Sequence, residues 1–161
     1  MSTPIASTGA KPTRAPTHKP LDLNRLMSLS ALIEDIAVDG RVSAEALEDR
    51  AHEDGIPVEK LYVAAAVVAD VEVTREHDIA FEVCAGGCQS WGALDVIEHL
   101  VSIRQERVED GAPAFDVVPR RCLDKCAAAP AVVVVTPDGR AVIEQADADR
   151  LDEAVAQLLE S

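Results

Sequence analysis

"CLDKCAAAPAVVVVTPDGRAVI", Cys122 to Ile143, decides how this chain is read. Ala131 to Val135 is an unbroken apolar and mostly β-branched run, which predicts a central strand buried on both faces. Pro137-Asp138-Gly139 is a tight turn, and Ala141 to Ile143 returns as the second arm of a hairpin. Two cysteines, three residues apart, stand just before this hairpin.

After the hairpin, Asp147 can cap a closing helix to Leu159, with Leu151, Val155, Leu158 and Leu159 facing inward. Upstream, Phe115 to Val118 reads as a short strand after the breaker "GAP" at 111–113. Trp91 to about Gln105 is helical, with Leu94, Ile97, Leu100 and Val101 on one face, and Ile79 to Val83 alternates as a strand. The order β-α-β-β-β-α predicts an α/β fold, a thioredoxin-like sandwich with a mixed four-stranded sheet and helices.

A small helical bundle precedes it. Leu23 to Val38 carries Leu23, Leu26, Leu29, Ile33 and Ile36 at helical spacing, and Asp39-Gly40 ends that helix. Ser43 caps a second helix to about Glu53, with Gly55 just past its end. Pro57 opens a third, Val58 to about Val71, whose "VAAAVVADV" is apolar nearly all round and is therefore expected to be buried. The expected division is a disordered Pro-rich tail over 1–20, a three-helix domain over 21–75 and a thioredoxin-like domain over 76–161.

Hydrophobic content of 48% supports a core built from Val, Leu, Ile and Ala, since only four residues are aromatic. The formal charge is −14; all 29 acidic residues follow position 20, where only 12 of the 15 basic ones lie. Such a surface repels nucleic acid and anionic membrane and suits docking on a basic partner. No apolar run approaches the roughly 20 residues of a membrane helix. The first 20 residues hold four prolines and no apolar stretch of secretory type. A cytoplasmic protein is expected, at the inner face of a membrane if its complex sits there.

The chain has four cysteines, Cys84, Cys88, Cys122 and Cys126, in two C-x3-C pairs separated by 33 residues. Each pair follows a predicted strand at the same end of the sheet, where loops converge. A disulfide framework needs an oxidising compartment, and a redox dithiol would show C-x-x-C. A four-thiolate site remains, and cysteine spacing alone does not separate zinc from a [2Fe–2S] cluster. Gly86 and Gly87 would let backbone N–H groups approach sulfur, Trp91 would pack beside or shield the site, and Arg120, Arg121 and Lys125 would offset its charge. Pro130 stands where thioredoxin-like folds carry a cis proline. His18, His52, His77 and His99 form no cluster and read as surface or packing residues. Neither a G-x-G-x-x-G nor a P-loop is present.

"RRCLDKCAAAPAVVVV", with "PDGR" and a terminal acidic helix, resembles the thioredoxin-like [2Fe–2S] ferredoxin family, which includes a small iron–sulfur component of the NADH dehydrogenase of respiratory complex I. Cys122, Leu123, Cys126, Ala129 and Pro130 match its second motif, with Asp124 in place of a glycine. "GIPVEKLYVAAAVVADV" is similar to the segment before its first cysteine pair, without the usual aromatic cluster. "FEVCAGGCQSWGA" resembles its first ligand loop, one residue shorter than usual, and its ending is most like the gamma subunits of NAD-dependent formate dehydrogenases. The similarity spans roughly residues 23 to 160. It implies that Cys84, Cys88, Cys122 and Cys126 hold one [2Fe–2S] cluster. It also implies a partner subunit of diaphorase type carrying FMN and NAD, in a larger oxidoreductase complex, and a chain that is catalytically inert alone. A zinc-stabilised interaction module and a thiol–disulfide redox protein are the alternatives.

Overall fold

The computed structural model describes residues 15–123 and 126–160, with Cys126 described by its backbone alone. Short polar side chains start three of its helices. Asp22 accepts from the Arg25 N–H to open α1 (Leu23–Ile36), and Ser43 accepts from the Ala46 N–H to open α2 (Ala44–Asp54). Each such cap is worth about 1 kcal/mol. α2 closes at Gly55, which takes the left-handed conformation (φ 64°) that glycine supplies without steric cost.

α1 stops two residues before the periodicity does. Asp39 and Gly40 both take positive φ, 54° and 76°, and bridge Val38 to Arg41 in a two-residue turn. That turn launches β1 (Arg41–Val42), which pairs in parallel with β2 (Glu72–Val73) beyond α3 (Val58–Val67). Strands of two residues carry no readable alternation, so this small sheet leaves no trace in the sequence pattern. α3 ends at Val67 rather than Val71, because the chain reverses through Asp70 (φ 53°) to reach β2. Leu61 to Ala65 are fully buried, as an all-round apolar helix requires.

The main sheet contains β3 (Ala80–Cys84), β4 (Asp116–Arg120), β5 (Val132–Thr136) and β6 (Gly139–Ile143), in the order β4-β3-β5-β6. β3 runs parallel to β4 and antiparallel to β5, and β6 is antiparallel to β5. This is the mixed four-stranded sheet of a thioredoxin-like sandwich, with the helical bundle preceding it. Pro119 lies in β4, an edge strand, where a missing N–H is tolerated. α4 (Ala93–Glu109) links β3 to β4, starting two residues later than its periodicity suggests, because Gly87–Trp91 form a 3-10 turn before it. Asp147 accepts from the Arg150 N–H to open α5 (Ala148–Leu159).

Alternation assigns the two sheet faces. Phe81, Val83, Val117, Val132 and Val134 join one continuous core with side chains of α1 to α5, among them Ile33, Leu61, Ile97, Leu100, Leu151 and Val155. Each large side chain buried there contributes roughly 1.5–3 kcal/mol. The Phe81 and Phe115 rings meet at 4.8 Å, tilted by 59°. Leu23 and Leu158, expected inside, are exposed: Leu23 is the first helical residue of α1, and Leu158 lines an open groove beside β6. The opposite sheet face is floored by Ala80, Val118 and Val133. Across it, buried Glu82 accepts from Arg120 of β4 (2.9 Å) and Arg140 of β6 (2.6 Å). Among the described residues, no helix is long and apolar enough to cross a membrane.

Candidate metal centre

Two parallel strands aim two cysteine loops at one place. Cys84, the last residue of β3, pairs with Arg120, the last residue of β4, and Cys122 follows two residues later. The loops therefore leave the sheet side by side, at the same end, as their spacing predicts. The Ala85 N–H donates to the Arg120 carbonyl at 2.7 Å. A side chain on Gly86 would collide with the Arg121 carbonyl oxygen, so glycine is what permits this approach. Gly87, expected to share that role, faces open space.

Cys84 and Cys88 are buried together with Ala93 and Ala129. Trp91 from the first loop and Leu123 from the second pack over them. The Cys88 thiol donates to the Cys84 sulfur, and the backbone N–H groups of Leu123, Gly86 and Cys88 point at the same atom. These donors bring the Cys84 thiol down to about 6, against burial, which pushes it up. One of the donors, Leu123, comes from the other loop. Cys84 Sγ also lies 3.9 Å from the Arg121 carbonyl, an acceptor for its proton when neutral.

Cys122 is exposed at the start of the second loop, and Cys126 opens the 3-10 turn Cys126–Ala128. The side chain of Cys126, and all of Asp124 and Lys125, lie outside the described residues. Among the described residues no three His, Cys, Asp or Glu side chains converge as metal donors. The second loop is tied down beyond the cysteines, where Ala128 and Pro130 carbonyls accept from Gln145 and Ala146 (both 2.8 Å). The Ala129–Pro130 peptide is cis, as its position suggested.

The side chains of the two arginines beside the site each have a partner within the fold. Arg120 bonds Glu82, and Arg121 donates to the Val67 carbonyl (3.0 Å) at the C-terminus of α3. Arg121 contributes through its backbone, which no sequence pattern marks. The histidines stand apart: His18 pairs with Asp95, His77 with Asp116 and His99 with Asp152, while His52 is exposed on α2.

Chemically, the N–H donors around the buried sulfurs favour the thiolate form against the opposing effect of burial, and thiolate is the ligand that zinc and iron–sulfur centres both take. Thus the donor set fits a soft metal centre. No protein-family model matches the chain, and no curated protein matches it.

Proposed function

We propose that this chain is a [2Fe–2S] electron-transfer subunit of an NAD(H)-dependent oxidoreductase, its cluster held by Cys84, Cys88, Cys122 and Cys126. The observation that carries the reading is the contact of the two cysteine loops, where the Ala85 N–H meets the Arg120 carbonyl and Gly86 abuts Arg121. When bound, such a cluster supplies a site for one electron. The chain's own residues supply the rest. Trp91 and Leu123 keep water from Cys84 and Cys88, and the N–H groups of Leu123, Gly86 and Cys88 favour charged sulfur. The resemblance to the thioredoxin-like ferredoxins adds the partner, a flavin- and NAD-binding subunit whose FMN exchanges single electrons with this chain. The host is a complex I-type NADH dehydrogenase, a formate dehydrogenase or a hydrogenase.

Anaerobic purification and reconstitution with iron and sulfide test this. The expected product is reddish, holds about two irons per chain, and gives a rhombic EPR signal after dithionite reduction. Serine at any of the four cysteines should bleach or destabilise it. A colourless protein with one zinc per chain rejects the reading in favour of an interaction module. Folded, metal-free protein that takes up no iron and whose thiols cycle with a disulfide points instead to a thiol redox protein.

A further inference from the structure

The residue after Cys88 is Gln89, and it is 4% exposed. A buried amide must spend both its donor and its acceptor. Gln89 does so in two directions. Its Nε2 donates to the Ala85 carbonyl at 2.9 Å, inside the first cysteine loop. Its Oε1 accepts from the Leu21 backbone N–H at 2.8 Å, 68 residues away in sequence. The neighbouring Ser90 carbonyl accepts from the Thr17 and His18 N–H groups at 2.9 and 3.0 Å. His18 Nε2 reaches Asp95 at 3.0 Å, and its ring lies over Gly92. Residues 17–21, within and just past the stretch expected to be disordered, thus run along the 3-10 turn that carries Cys88.

We infer that Gln89 is a positioning residue that clamps the Cys84–Cys88 loop between its own Ala85 carbonyl and the N-terminal segment at Leu21. Within the loop, the Gly86 carbonyl accepts from the Gln89 backbone N–H at 3.1 Å, while the Ala85 carbonyl accepts from the Gln89 side-chain amide. Glutamate would keep the acceptor for Leu21 and lose the donor to Ala85; leucine would lose both. The N-terminal segment is thereby part of the cysteine site. The consequence for a bound metal rests on the function proposed above, but the clamp itself does not.

The test uses metal-free, full-length protein and iodoacetamide, with alkylation followed cysteine by cysteine by mass spectrometry. Gln89→Leu should raise the rates at Cys84 and Cys88 about tenfold, the scale of losing buried hydrogen bonds, and leave exposed Cys122 unchanged. Gln89→Glu should give a smaller rise at the same two positions. Leu21→Pro removes the N–H with Gln89 intact and, losing one of the two bonds, should raise the rates at Cys84 and Cys88 by less than Gln89→Leu does, which keeps the test alive if that variant does not fold. Unchanged rates at Cys84 and Cys88 in folded variants would overturn the clamp. An equal rise at Cys84, Cys88 and Cys122 with a lowered melting temperature would also overturn it, leaving Gln89 a residue of general stability. The reconstituted variant should, in addition, show shifted EPR g-values. Failure of any iron to bind, with the alkylation pattern as expected, would sink the cluster and spare the clamp.

Discussion

Gly86 and Arg121 touch backbone to backbone: the α-carbon of one has no room for a β-carbon because the carbonyl oxygen of the other occupies that space. Gly86 lies between Cys84 and Cys88, and Arg121 immediately precedes Cys122. The distance between the two cysteine loops is therefore set by the absence of one methyl group. Gly86→Ala should push the second loop away, cost about 1–3 kcal/mol of stability as an overpacked contact, and lower iron bound per chain. Urea denaturation and iron analysis of the same preparation check both effects.

Gly40 offers the contrasting case. It also needs glycine, but only for its φ of 76°, since nothing would touch an added β-carbon. Gly40→Ala should cost about 1–2 kcal/mol of backbone strain and leave metal loading at the native level. A loss of loading equal to that of Gly86→Ala would mean that general destabilisation, not loop contact, governs the site.

Glu82 crosses the sheet to Arg120 and Arg140. Burial pushes its carboxyl up, but the hydrogen bonds and charges of the two arginines outweigh this and hold it below the ordinary range. A lowered carboxyl stabilises the fold above its unfolded pKa, about 4.3, and that contribution is lost as pH falls through the lower folded value. Glu82→Gln should therefore be less stable at pH 7 by roughly 1–2 kcal/mol, discounted for the partly exposed arginines. The gap should close below about pH 4. Thermal melts of both proteins across that range would show a pH-independent gap if the ion pairs contribute nothing.

Arg104, which is buried, and Glu48, which is half-buried, join α4 to α2 through an ion pair at 2.7 Å. Burial pushes the Glu48 carboxyl up, with Arg104 opposing. Tyr62 is fully buried nearby. Arg104→Met leaves the carboxylate uncompensated and should cost about 3–5 kcal/mol, most at neutral pH and less under acid, where Glu48 takes a proton. Adding Glu48→Leu should recover most of the loss, measurable as the coupling in a double-mutant cycle of urea midpoints. Additive losses would show that the pair does not interact.

Elements whose signals are local can be read directly from residue order. Helix caps at Ser43 and Asp147 are written in single residues, and most of the strand Val132–Thr136 in the apolar run Ala131 to Val135. Two equal cysteine pairs after two strands marked the candidate site, because parallel neighbours leave a sheet at the same end. Other features depend on contacts between segments far apart in the chain. The pairing of β1 with β2 joins residues on either side of α2 and α3 through strands too short for any period to show. Leu23 and Leu158 fit an apolar stripe but lie exposed, since periodicity fixes a face and not what stands opposite it. Arg121 enters the site as a backbone carbonyl and Gln89 as a doubly bonded amide, and both roles exist only once distant segments meet. Residue type announces a thiolate; which carbonyl lies against it, and which amide holds its loop, depends on packing between parts of the chain that share no local code.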